Sequence, residues 1–591
     1  MSNILEKIKK YQIAIILSLI IIVGIFLRTY HFSDWLFFQS DQSRDLNLVS
    51  HAVENGPGWL PLLGPKAGGT FLRLGPIFYY FLYLSGKIFG LSEPWKAAFP
   101  DLFFSVLTIP LFYFFLKEFF SKNWTLIITA SYAVCFFAVQ YSRFAWNPNS
   151  LPFFNLLFFY ALLKFFDASD RRRMICWTIV TGISYAIASQ LHFVCFFSFP
   201  IATLAIILFR KIILKYSVGQ FFKYVPIVIA IFILFYIPMI LSDMQADGNN
   251  AINFLVSFES KSSDSGIAEL AKTNIFNFSK YFAIIWSGVV DADKKTYKLF
   301  SYFMLAGLIG GGLLFRKETD VRKKMFIFAI FAWLISYFIV YFPLGSKVQP
   351  RHFLPILPLP FIFWGFLILF INKISWKYKS LIIGSMLFLP IALNAYSVKT
   401  WFGELGDSQT KISHPRKSAL LKSVEGEDWW HLKKTAEYIK NDCYGEDKKI
   451  FIIPLKKSYR DLISYSLESI GEKREYSIKL GSMEYYPDSC YYFMYFMKNY
   501  SPDYFDGQIR KISEKSFGDI GVVHFKINSQ AIAGGDKIEN PFRKEDGGQE
   551  RKDSNIESGS DDNSSIDGSE DNSWLIPKRR ERIFWKDLFN Q

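Results

Sequence analysis

The stretch Ile13–Asp45, IAIILSLIIIVGIFLRTYHFSDWLFFQSDQSRD, decides the reading of this chain. Its first half belongs to an apolar run, residues 12–30, of the length that crosses a bilayer. Its second half turns polar at Gln39-Ser40-Asp41-Gln42-Ser43-Arg44-Asp45. Ser40 is the expected cap of a new helix, along which Leu46, Val49 and Val53 repeat at helical spacing. Asp41 and Asp45 lie four residues apart and so share one helix face, with Arg44 beside them. On a surface helix this would be an ordinary acid-rich N-terminus. At a membrane boundary, ionisable side chains held against apolar surroundings need a reason. Two carboxylates beside a cation can supply a base and the group that orients it.

Further apolar runs follow near 97–117, 124–140, 150–166, 174–190, 193–209, 224–241, 298–315, 325–342, 353–371 and 380–397. With the first, that predicts about eleven spans. A shorter run at 75–91 begins near Arg73, Gly75 and Pro76 and is expected to be re-entrant or interfacial. Lys7, Lys9 and Lys10 precede the first run and no small-residue cleavage site closes it, so an uncleaved span with a cytoplasmic N-terminus is expected. The basic gaps, such as Arg171-Arg172-Arg173 and Lys373–Lys379, then all fall inside, as the positive-inside rule requires.

Hydrophobic residues make up 51% of the 591 and aromatics 19%, which excludes a soluble enzyme, a disordered chain and a disulfide scaffold. Continuous runs argue against a β-barrel. The net charge of +15 sits mostly in short gaps between runs. It therefore points to topology and lipid headgroups rather than to nucleic acid. Three domains are expected: a transmembrane region 1–400, an extracytoplasmic α/β domain 401–530, and a disordered Ser/Asp/Gly-rich tail 531–591. In the second, 429–441 and 459–470 read as helices, and 449–454, 491–496 and 521–527 as strands. The end of the tail, 574–589, reads as solvated. Cys443 and Cys490 could pair in an oxidising compartment.

Two more outer-face clusters carry chemistry. Tyr141-Ser142-Arg143-Phe144-Ala145-Trp146-Asn147 holds a single cation. Lys347, Arg351 and His352, with Gln349 among them, are cation-capable groups of the kind that bind phosphate. Arg73, Tyr79, Asn147, His192 and Gln349 are candidates to line a substrate cavity. No P-loop, GxSxG or HExxH motif is present. A transporter or flippase of a lipid-linked sugar is the alternative class, but no internal duplication is visible and the charges lie at the outer boundary.

The ordered set of motifs resembles the GT-C superfamily of integral-membrane glycosyltransferases. The Asp41-Gln42 pair sits where many members carry Asp-Glu, so Asp41 is the carboxylate that carries over. Gly64 with Leu74-Gly75-Pro76-Ile77-Phe78-Tyr79-Tyr80 is similar to a stretch of the aminoarabinose transferases. Ser142-Arg143-Phe144 with Asn147-Pro148, and Arg351-His352-Phe353-Leu354-Pro355, resemble segments of the family 39 protein O-mannosyltransferases. Asn147 or Asn149 stands where those carry Asp. Asp428-Trp429-Trp430 partly resembles the Trp-Trp-Asp motif of oligosaccharyltransferases, but His431 follows where Asp is required. The resemblance implies transfer from a polyprenyl-phosphate sugar to a hydroxyl acceptor (lipid, glycan or protein) at the outer face. Asp41, Arg44 and Asp45 would be catalytic, and Arg143, Lys347, Arg351 and His352 would hold the donor phosphate. No cofactor is required by that chemistry, although Asp41, Asp45 and His192 could offer ligands to a divalent metal.

Overall fold

The computed structural model describes residues 2–67, 72–246, 248, 250–254, 266–343, 348–375, 377–410, 420–421, 426–445, 447–454, 458–479, 483–496, 509–527, 537–538 and 583–588. Lys347 and most of the expected disordered tail lie outside them. Every predicted apolar run is helical. Among the described residues, eight helices are long and apolar enough to cross a membrane, or nine if the bent pair Pro350–Ile356 and Leu359–Asn372 forms one span.

The two remaining predicted spans differ for local reasons. Leu151–Asp167 is helical but 17 residues long. The run 124–140 is broken into Lys122–Ala133 and Phe136–Tyr141. At the break, Phe136 N–H donates to Asn394 Oδ1 at 2.8 Å, taking a donor that helix continuation would have used. Asn394 Nδ2 in turn donates to the carbonyls of Trp286 and Pro390, so one buried amide ties together three segments. Helix Ile267–Ser287 lies in what reads as an outer loop, where Lys272, Asn277 and Lys280 interrupt its hydropathy. The short run at 75–91 forms the 13-residue helix Ile77–Phe89, packed on helix Ser40–Asn55.

The C-terminal region folds as a five-stranded mixed sheet flanked by helices Trp429–Asp442 and Ser458–Ser469. Its order is 476–478, 450–454, 490–496, 520–527, 509–517, with the first three strands parallel and the rest antiparallel. Strands 476–478 and 509–517 add to those read from the sequence. Cys443 and Cys490 form a disulfide.

This domain is stitched to the loop after the first span. Strand Phe37–Gln39 pairs antiparallel with Gly426–Asp428, in the register Phe38↔Glu427. Gly426 is needed there because a Cβ would run into the Phe38 carbonyl and Gln39. Trp429 N–H donates to Leu36 O at 2.8 Å, Ser43 Oγ donates to Asp461 O at 2.7 Å, and Lys433 pairs with Glu93 at 2.6 Å.

Residues 583–588 depart from the solvated-tail expectation. Phe584 bridges to Pro61, Leu62 N–H donates to Ile583 O, and Trp585 Nε1 donates to Tyr80 Oη at 2.9 Å.

Candidate active site

The helix Ser40–Asn55 starts one residue earlier than the predicted cap implies. Gln39 is the N-cap, in extended conformation, and Ser40 is already helical. Asp41 therefore lies in the first turn, where the aligned peptide dipoles favour a carboxylate. Arg44 Nη1 donates to Asp41 Oδ1 at 2.8 Å, while its Nε and Nη2 reach Asp45 Oδ1 at 2.9 and 2.8 Å. Tyr79, from helix Ile77–Phe89, donates its hydroxyl to the same Asp45 oxygen at 2.9 Å.

Exposure divides the roles. The side chains of Asp41 and Arg44 are 42% and 37% exposed, whereas Asp45 is 4% exposed and Tyr79 is buried. Asp45 and Tyr79 form the buried brace, Arg44 the link, and Asp41 the group that faces solvent-accessible space. Burial works to lower the Arg44 pKa, but the Asp45 and Asp41 carboxylates outweigh it and raise it, so Arg44 stays charged. Because Arg44 is more than a third exposed, the Arg44–Asp45 pair contributes less than the about 3–5 kcal/mol of a fully buried pair.

The second cluster is rebuilt by the structure. Arg143 is buried, and both its Nη groups bond to the turn that ends the first helix. Its Nη1 donates to Arg28 O at 3.1 Å and to Leu27 O at 3.4 Å. Its Nη2 donates to Tyr30 O at 2.8 Å and to His31 O at 3.2 Å. Phe32, Trp401 and Phe402 flank the guanidinium. His31 has φ +47°, an uncommon conformation for a non-glycine residue, so the turn needs this support. Burial pulls the Arg143 pKa down and the Asp428 carboxylate opposes that shift. Arg143 thus caps the end of the first helix, a structural role the sequence reading did not give it.

Arg351 and His352 lie on a 3₁₀ turn, Pro350–Ile356, capped by Gln349, whose backbone N–H donates to His352 Nδ1 at 3.1 Å. Arg351 lies over the Trp146 ring at 5.0 Å and is half-buried. Among the described residues it has no ion-pair partner. Tyr341 joins His352 to His192: its ring lies 5.3 Å from that of His352, and its hydroxyl lies 3.4 Å from His192 Nε2. His192 itself caps helix Phe193–Leu208 by accepting from Val194 N–H. Asn147 Nδ2 donates to Leu191 O at 2.8 Å, fixing the 142–150 loop beside His192. The Arg73 backbone N–H donates to Asn250 Oδ1 at 2.9 Å, and its carbonyl accepts from Asn250 Nδ2 at 3.1 Å.

Asp41, Asp45 and His192 were possible metal ligands from sequence; among the described residues, the group that meets metal-ligand geometry is Glu427, Asp428 and His431. Two positioning residues went unread in the sequence. Asp101 accepts from Ser150 Oγ at 2.5 Å and from Trp146 N–H at 3.0 Å, so it sets the loop that carries Trp146. Gln190 accepts from Ile77 N–H at 3.2 Å, at the start of the Tyr79 helix. A lone carboxylate at the head of an apolar run was the available signal for Asp101.

Residues 59–254, about a third of the chain, match the family model of dolichyl-phosphate-mannose-protein mannosyltransferases. No curated protein sequence matches. Two solved structures of ArnT from Cupriavidus metallidurans share the fold. The apo form gives a TM-score of 0.53 at 11% identity, covering 87% of this chain and 98% of that one. The form bound to undecaprenyl phosphate gives 0.51 at 10% identity, with the same coverage of 87% and 98%. The archaeal oligosaccharyltransferase AglB from Archaeoglobus fulgidus gives 0.49 at 14% identity, covering 78% of this chain. The chain spans 64% of the length of that protein. Residues 59–254 are thus similar to the mannosyltransferase family, and the chain as a whole shares its multi-pass helical fold with ArnT.

Proposed function

We propose that the protein transfers a sugar from a polyprenyl-phosphate donor to a hydroxyl acceptor, with inversion, at the extracytoplasmic face of the membrane. The observation that carries this reading is a half-exposed Asp41 held by Arg44 against the buried Asp45–Tyr79 pair. That is the geometry of a base with a fixed orienting partner.

In the proposed reaction the acceptor oxygen attacks the anomeric carbon from the face opposite the phosphate. The carbon–oxygen bond to phosphate breaks, and the phosphate leaves with the electron pair. Asp41 takes the acceptor proton. Phosphate needs no proton to leave, so one base suffices, unlike the two-carboxylate requirement of glycoside hydrolysis. Arg351, free of ion pairs among the described residues, would offset the charge that builds on the leaving phosphate, with His352 beside it. Undecaprenyl phosphate bound to the ArnT neighbour supports a lipid-phosphate donor. The charge bias of the loops and the Cys443–Cys490 disulfide, a bond typical of oxidising compartments, support the outer face.

The test gives purified wild type and Asp41→Asn a panel of radiolabelled polyprenyl-phosphate sugars with membrane lipid extract. Label reaching an acceptor with wild type alone, while both proteins fold and bind donor, supports the base. Equal transfer by both refutes the role of Asp41. Donor flipping in liposomes without transfer would favour the transporter class.

A further inference from the structure

We infer that Glu427, Asp428 and His431 form a structural site for a divalent transition metal, with zinc the ion its donor set fits. The three side chains lie where strand Gly426–Asp428 enters helix Trp429–Asp442, at the end of helix Lys379–Ser408. All three are buried, at 0%, 2% and 1% exposure, and their ligand atoms lie within 4.8 Å of one another.

The geometry suits a small ion. His431 Nδ1 is 3.0 Å from Glu427 Oε1 and 4.0 Å from Asp428 Oδ2. Ligands about 2.0–2.1 Å from a tetrahedral zinc stand about 3.3 Å apart, between those two values. The other ring nitrogen, Nε2, lies 3.0 Å from the Ser408 carbonyl oxygen, to which it donates. Nδ1, hydrogen-bonded to Glu427 Oε1 at 3.0 Å, is then the nitrogen that would turn its lone pair to a metal in place of that bond. A metal-bound histidine characteristically gives its second N–H to a carbonyl in this way. The ring is also held in place from behind. Gly518, at φ +58°, leaves no room for a Cβ against the imidazole.

Asp428 opens onto a small cavity shared with Gln140 and Arg143, where a water could complete the coordination. The bound ion would pin three pieces at one point: the end of helix Lys379–Ser408 through Ser408, the domain helix through His431, and the strand leading to the Asp41 helix through Glu427 and Asp428. The competing arrangement is an imidazolium at His431, neutralised by Glu427, with Arg143 balancing Asp428.

The experiment uses the full-length protein in detergent. Metal content is measured by mass spectrometry as purified, after chelator dialysis, and after return of zinc. Cobalt substitution then reports ligand geometry by visible absorption in the unmutated protein. The site predicts about one zinc per chain, a rise in Tm when zinc is returned to the stripped protein, and cobalt bands of a four-coordinate oxygen and nitrogen site. His431→Gln and Glu427→Gln should each lower zinc content at least tenfold. Zinc absent from the wild type, with Tm unmoved by added zinc and no cobalt bands, would overturn the inference and assign the imidazolium. Zinc retained in both variants would also overturn it.

Discussion

Replacing Tyr79 by Phe tests the brace behind Asp41 with a small perturbation. The ring is fully buried against the helix Ser40–Asn55, and Phe keeps that packing. What is lost is one hydroxyl donor, 2.9 Å from Asp45 Oδ1. A hydrogen bond to a charged group contributes about 1.5–3 kcal/mol. Asp45 keeps Arg44, so the carboxylate remains charged, but Arg44 must now satisfy a less constrained partner. Since Arg44 also holds Asp41, the base loses orientation. If half of the lost energy appears in the transition state, kcat falls roughly four- to tenfold, since 1.36 kcal/mol is a factor of ten. KM for the donor should stay within about twofold, because Tyr79 acts through Asp45 rather than through Arg351 or His352. The assay is steady-state transfer of radiolabelled sugar by Tyr79→Phe and wild type, with Tm measured on both. An unchanged kcat beside a lowered Tm would refute the positioning argument and leave Tyr79 a stability residue alone.

Arg351→Ala should raise donor KM by roughly 10- to 100-fold, the effect of losing a charge-assisted bond of about 1.5–3 kcal/mol, while Arg351→Lys recovers part of it; donor titrations decide, and an unmoved KM removes Arg351 from the phosphate site. Reduction of Cys443–Cys490, or Cys443→Ser with Cys490→Ser, opens a loop of 47 residues and should destabilise the C-terminal domain by about 4 kcal/mol, read from denaturant melts. The Arg474 guanidinium, bonded to Glu472 at 2.7 and 2.9 Å, holds that carboxyl down at about 2 against its ordinary 4.5, with burial opposing. This stabilisation, at most about 3 kcal/mol, is fully present above about pH 4.5 and is lost as pH falls toward 2. Arg474→Met should remove it at neutral pH and flatten the acid limb of the melting curve.

The membrane region was legible in the sequence because apolar runs record burial in lipid directly. The Asp41–Arg44–Asp45 group was legible for a similar reason: its partners lie on one helix, within four residues. The capping role of Arg143 was not legible because the groups that hold it are backbone carbonyls more than 110 residues away, which carry no side-chain signature. Helix Ile267–Ser287 was missed because the polar groups on it break the hydropathy average, although its apolar face is buried against neighbouring helices. The break at Phe136 depends on Asn394, 258 residues distant, and no local rule anticipates it. The join at Gly426–Asp428 is three residues long and precedes a helix start, so the periodicity around it favours helix over strand.

That join also sets a clock. Phe38 finds its strand partner Glu427 only after 389 further residues have been made. At about 5–20 residues per second, the ribosome needs about 20–80 s to supply it. Through that interval the carboxylate helix has left the ribosome, yet the strand that aligns its entrance does not exist. Activity should therefore switch on late and all at once during biogenesis. Nascent chains arrested before residue 426 would hold the membrane helices and the Asp41 group while remaining silent on sugar transfer.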